Sequence, residues 1–90
     1  MQTLLFPVAD TFEIRGRGII IVSPVLRDLP VGLMNGQQIE LRRPDGTTLL
    51  TMIRGIEMCD PNPNKRAGLL LPVEVKLTDV PIGTEVWTIE

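Results

Sequence analysis

The run Gly18-Ile19-Ile20-Ile21-Val22, entered through Gly16-Arg17-Gly18, sets the terms on which this chain can fold. Four consecutive β-branched residues lose side-chain freedom in a helix and pack well on a pleated surface, so the run predicts a strand. Its lack of alternation predicts burial on both faces, or a place at a barrel seam. The stretch Asp10-Thr11-Phe12-Glu13-Ile14-Arg15 before it does alternate, with Phe12 and Ile14 on one side. It predicts a first strand over roughly residues 11–15. Gly16 and Gly18 carry no Cβ and can supply positive φ or close backbone approach, so the two segments are expected to join at a bend.

No window elsewhere keeps a 3.6-residue apolar period over ten or more residues. Thr3–Val8 is an apolar entry segment in which Pro7 cannot donate to a ladder, so it reads as an edge strand or an extended lead-in. The strand opened by Gly18 is expected to reach about Leu26, with Pro24 at an edge or bulge, before the turn material of Arg27–Gly32. Asn35-Gly36 predicts a tight turn into the half-exposed strand Gln37–Arg42, where Ile39 and Leu41 alternate with Glu40 and Arg42. In Pro44-Asp45-Gly46-Thr47 proline presets φ and Asp-Gly supplies left-handed residues, which predicts a hairpin. The return strand then runs from Thr48 to about Met58, with a bulge or close approach at Gly55.

Cys59–Arg66 is a loop by composition, and Ala67–Val73 reads as a buried strand ended by proline. Val75–Gly83 has room for one short helical or irregular turn, capped by Thr78 and Asp79. Glu85–Ile89 closes the chain as an alternating strand. The expectation is an all-β domain over residues 1–90 with six to seven antiparallel strands, hence a barrel or sandwich.

Composition narrows the interior and the chemistry. Ninety residues bury only roughly 60–65% of the surface that the unfolded chain exposes, so the stability margin is thin. Phe6, Phe12 and Trp87 are the only aromatic residues, which predicts an aliphatic core with Trp87 as a plug at one barrel end. Met34, Met52 and Met58 are expected first as core fillers and second as an adaptable contact surface. The formal net charge of −2 gives no long-range attraction to phosphate backbones. There is no histidine, which excludes Ser–His–Asp and Cys–His chemistry, and no carboxylate spacing calls for acid–base work. Cys59 stands alone, so no internal disulfide forms and an inert thiol is expected. With no apolar run of membrane-spanning length and no basic leader, the expectation is a cytoplasmic protein with no cofactor, no metal and no turnover.

Three segments carry a family likeness. Leu5-Phe6-Pro7-x-x-Asp10-x-Phe12-x-Ile14-x-Gly16-Arg17-Gly18 resembles the opening of the second domain of elongation factor Tu and related translational GTPases. Gly55-Ile56-Glu57-Met58 resembles that family's Gly-Val-Glu-Met segment. Gly68-Leu69-Leu70-Leu71, followed by Asp79-Val80-x-x-Gly83-x-x-Val86, resembles its penultimate strand, crossover and last strand. The resemblance implies a small closed or nearly closed β-barrel. It also implies that Glu57 lies where the family meets the 3′-terminal aminoacyl-adenosine of tRNA. Pro72 stands where the family carries an arginine near the tRNA 5′ end, and Cys59 where it carries an aromatic wall. No Gly-x-x-x-x-Gly-Lys-Ser/Thr and no Asn-Lys-x-Asp segment is present, so GTP binding is not expected of these residues.

The candidate contact residues are therefore Arg15, Arg17, Arg54, Glu57 and Trp87. Arg15 and Arg17 are a cation pair for phosphate or a partner carboxylate, or simply solvated charge at a strand edge. Arg42, Arg43 and Arg54 can form a basic stripe able to meet RNA, but Glu40, Asp45 and Glu57 nearby favour cross-strand ion pairing. Lys65-Arg66 reads as solubilising charge. A lone Trp87 also suits an interface anchor. The functional expectation is a non-enzymatic binding module that docks a protein or associates with itself, homodimerisation included. An RNA- or ribosome-contacting module is the alternative.

Overall fold

The computed structural model describes residues 2–23, 33–58 and 67–89, and within them every regular element but one is a strand. The strands are β1 (Thr3–Pro7), β2 (Asp10–Ile14), β3 (Gly18–Val22), β4 (Gln38–Arg42), β5 (Thr48–Met52), β6 (Gly55–Met58), β7 (Ala67–Leu70) and β8 (Glu85–Thr88). The exception is a 3₁₀ turn over Leu77–Asp79, where Asp79 Oδ2 accepts the Lys76 N–H at 2.9 Å. That is the short turn expected of this stretch; of the two expected caps, Asp79 acts as the third residue of a capping box whose N-cap is Lys76, and Thr78 lies inside the turn. Among the described residues, no helix is long and apolar enough to cross a membrane. Pro24, the Arg27–Gly32 turn, Cys59 and the loop with Lys65-Arg66 lie outside the described residues.

The strands form two four-stranded antiparallel sheets, in the orders β1-β8-β4-β5 and β2-β3-β7-β6. The all-β antiparallel class is as expected; a closed barrel is not what the ladders give, since each sheet is open among the described residues. Of the four passages of the chain between the sheets, β1 to β2 and β5 to β6 are tight corners at which adjacent residues divide the work. Val8 exchanges hydrogen bonds with Thr84 and Gly83 on the first sheet, while the N–H of Ala9 donates to Val22 on the second at 2.8 Å. In the same way the Ile53 N–H donates to Gln37 at 2.9 Å and the Arg54 N–H to Leu70 at 2.8 Å. The return strand expected over residues 48–58 is therefore two strands, β5 and β6, that serve different sheets. Bends that carry a strand from one sheet to another are how near-orthogonal sheet pairs make their corners.

The Gly-Arg-Gly stretch is a hairpin, which corrects the bend expected of it. β2 and β3 pair over five residues from Asp10↔Val22 to Ile14↔Gly18, and the Arg17 N–H closes the turn onto Ile14 at 2.9 Å. Gly16, at φ +80°, takes the third position of that turn, where a left-handed residue is required. The β4–β5 hairpin is a turn over Arg43–Gly46 followed by a bulge: the Gly46 N–H donates to Arg43, and the Arg43 N–H to Thr47. Only Gly46 is left-handed there. Asp45 instead accepts from the Thr47 N–H at 2.9 Å and its hydroxyl at 2.6 Å, and these bonds hold its carboxyl below the usual range.

The core lies between the sheets and is aliphatic apart from Phe6. Ile19 and Ile21 from β3, Ile39 and Leu41 from β4, Leu69 from β7 and Val86 from β8 are all buried in it, with Val8 and Ile53 at the corners. β3 is buried on both faces, as its unbroken run requires: Ile20 and Val22 form a second cluster with Leu70 on the other side. The expected core role fails for two methionines and the expected plug role for Trp87, while the side chain of Met58 lies outside those described. Met34 and Met52 are exposed, and Trp87 is half-buried on a sheet face rather than plugging an end.

Candidate functional site

Alternation along β8 decides where Trp87 goes. Val86 and Thr88 are buried, so Glu85 and Trp87 take the opposite, outer face of the first sheet. Register then lines up Leu4, Trp87, Glu40 and Leu50 across β1, β8, β4 and β5. Leu50 is 67% exposed and Leu4 42% exposed, and Met52 follows Leu50 on the same face of β5. This is an apolar row on the outside of a finished sheet, interrupted by one carboxylate.

Arg42 lies over the indole of Trp87, with its guanidinium carbon 4.1 Å from the ring centroid. Its Nε donates to Glu40, one terminal nitrogen donates to Gln2 Oε1, and the indole N–H of Trp87 donates to Glu85 at 3.0 Å. The cation is stacked and hydrogen-bonded, so it does not stand free for a phosphate. Arg42→Ala is expected to expose the ring to solvent. It should raise acrylamide quenching of Trp87 fluorescence, shift the emission to the red and cost about 0.5–1 kcal/mol in a urea melt.

The second candidate area is the tip of the β2–β3 hairpin. Glu57 on β6 sits opposite Gly68, and its carboxylate is 3.9 Å from the Arg17 guanidinium, both side chains being partly exposed. Such a pair is worth at most about 1 kcal/mol. Beside it a cleft of 310 Å³ is lined by Glu13, Ile14, Arg17, Ile19, Val75 and Lys76, among others. The charges around it are of both signs, which suits neither a polyanion nor a polycation.

The structure brings Arg17 and Glu57 together and places Arg15 in the same exposed hairpin turn. Arg54 is exposed at the β5–β6 corner with no ion-pair partner among the described residues, and Trp87 stands on the other sheet. The basic stripe of Arg42, Arg43 and Arg54 does not form. Arg42 stacks on Trp87, whereas Arg43 donates to the Asp79 carbonyl at 2.6 Å and approaches its carboxylate at 3.9 Å. Leu4, Leu50 and the stacking role of Arg42 are absent from the sequence reading. Among the described residues no group of three or more carboxylates, thiols or imidazoles is placed to hold a metal ion. Compared with known proteins, the chain matches no family model, no curated protein and no solved structure.

Proposed function

We propose that this chain is a non-enzymatic binding module that docks a protein partner through the outer face of the sheet β1-β8-β4-β5. The observation that carries the reading is the outer-face row of exposed Leu4, half-buried Trp87 and exposed Leu50, extended by Met52. Tryptophan is the residue type most enriched among interface anchors, and a stacked arginine beside it gives the patch a polar rim. Against the RNA alternative stands the state of the cations. Arg17 faces Glu57, the residue that the family likeness would give to a tRNA end, and Arg42 is committed to Trp87 and Glu40.

We further propose that the two sheets are the halves of a small, incompletely closed barrel of the kind found as the second domain of translational GTPases, in which the outer side of β5 has no partner among the described residues. β1–β2 and β5–β6 each belong to both sheets, so the order β1/β2–β8–β4–β5/β6–β7–β3 returns to its start. Counted this way the eight strands become six. The segments that resemble the family fall on strands in the same order: the opening on β1 to β3, the Gly-x-Glu-Met segment on β6, and the closing segments on β7 and β8.

The docking reading is tested by affinity capture from extract of the source organism, with and without nuclease and in about 0.5 M salt, where phosphate-dominated contacts are lost. A protein partner retained under both treatments and lost with Trp87→Ala or Leu4→Asp is the expected result. A signal abolished by nuclease and salt, and unchanged by those substitutions, would overturn it in favour of RNA.

A further inference from the structure

Sheet edges differ in how well they are guarded. An edge strand offers a row of unpaired N–H and C=O groups, which natural proteins blunt with charge, proline or a bulge. β1 contains Pro7 and an irregularity between Leu4 and Phe6, β2 contains Asp10 and Glu13, and β6 contains Glu57. β5 reads Thr48-Leu49-Leu50-Thr51-Met52, with none of these devices, and among the described residues it pairs with β4 alone. A cleft of 240 Å³ runs beside it, lined by Leu50, Thr51, Met52, Pro72 and Glu74.

The direction of its free backbone groups is fixed by the hairpin. The Thr47 carbonyl accepts from Arg43, and the Ile53 N–H donates to Gln37, so residues 47, 49, 51 and 53 point at β4. Thr48, Leu50 and Met52 therefore point their N–H and C=O away from the sheet. These three positions are symmetric about Leu50. If a second copy runs antiparallel with Leu50 opposite Leu50, Thr48 faces Met52 at both ends and each facing pair exchanges two hydrogen bonds. The flanks are symmetric as well. Gly46 comes opposite Arg54, which brings Asp45 of one copy beside Arg54 of the other at both ends of the ladder. Arg54 is exposed and has no ion-pair partner within its own chain among the described residues, and Asp45 is exposed on the hairpin tip, where its Oδ1 accepts from Thr47.

We propose that β5 is a self-pairing edge, at which two copies of this chain join their first sheets across a two-fold axis through Leu50, with Asp45–Arg54 ion pairs closing both ends. An isologous contact of this kind needs the same patch on both copies to complement itself, which is what the charge placement around Leu50 provides. The inference rests on the reading of this chain as a docking module and names a second copy as occupant of the edge. A five-residue ladder belongs to the small class of interfaces, so dissociation is expected in the micromolar range.

Sedimentation velocity between roughly 10 and 500 µM tests it. The 10.0 kDa chain is expected to double its mass across that range. Leu50→Pro removes one outward N–H from each copy without touching the β4 ladder, and is expected to weaken association at least tenfold. The decisive comparison exchanges charge. Arg54→Asp alone and Asp45→Arg alone each put like charges together and are expected to be monomeric, whereas their equimolar mixture restores the dimer. This arm stands even if Leu50→Pro unfolds, which a thermal melt of each variant reveals. A wild type monomeric throughout, or a mixture no more associated than its components, would overturn the proposal. A dimer lost on Trp87→Ala but kept with Arg54→Asp would also overturn it and leave docking through the outer face intact. A dimer that follows the charge exchange, in a chain that captures no partner through Trp87, would retain β5 pairing and remove the face reading.

Discussion

Gly18→Ala is expected to be the most damaging of the single glycine substitutions, with an apparent loss of about 3–5 kcal/mol in urea or thermal melts. An added Cβ would lie 2.5 Å from the carbonyl oxygen of Leu71, at a φ of +120° that side chains rarely adopt. The obstructing atom is backbone and cannot swing aside. Leu71 is itself fixed, because its N–H donates to Ile19 at 2.9 Å and its side chain is fully buried. Steric and conformational costs therefore add. For a domain whose whole stability is of the order of 5–15 kcal/mol, the midpoint should fall by about 15–25 °C. Gly16→Ala provides the comparison, since it shares the positive φ but meets nothing within 4 Å. It should cost only about 1–2 kcal/mol. Equal losses at the two glycines would mean that β3 and Leu71 are not in close approach.

Ile53→Ala is expected to cost about 2–5 kcal/mol, the range for deleting a fully buried branched side chain. Ile53 is 0% exposed and sits where the chain leaves the first sheet for the second, with its N–H and C=O both bonded to the Gln37 side of that corner. Removing its side chain opens a cavity at the join between the sheets, where Arg54 takes over the bonding. Leu50→Ala, three residues away on the exposed face, should change stability by less than about 0.5 kcal/mol. Urea midpoints for the two variants distinguish a load carried at the corner from one spread evenly along β5 and β6.

Local signals read well in this chain. The β-branched run became β3 with both faces covered, and Asn35-Gly36 and Pro44–Thr47 became turns with glycine at the left-handed position. What failed were readings that needed a neighbour from another strand. Gly55, expected as a bulge or close approach, is the signal beside the corner at Ile53-Arg54, but neither of those two residues breaks a strand and the change of sheet is made by bonds to Gln37 and Leu70. As the plug of a barrel end Trp87 would have to turn inward, yet β8 has one inward face and Val86 and Thr88 occupy it. Size lost to period. The stacking of Arg42 on that ring depends on the β4–β8 pairing, across residues 45 positions apart, which no local pattern records. The Arg17–Glu57 contact likewise requires the hairpin tip to fold back toward β6.

The position of β8 has a consequence for how the molecule comes into being. This strand lies between β1 and β4, so the first sheet has no continuous ladder until the chain beyond residue 85 is available. Synthesis at roughly 5–20 residues per second therefore leaves β1 waiting for seconds while the β2–β3 and β4–β5 hairpins can already close. The most distant pairing, Thr3 with Thr88, must form across almost the entire described length, in a topology whose nucleation is slow for that reason. During vectorial emergence it is β1, with its core residue Phe6, that stays unpaired longest, which makes that segment the natural point of engagement for a chaperone.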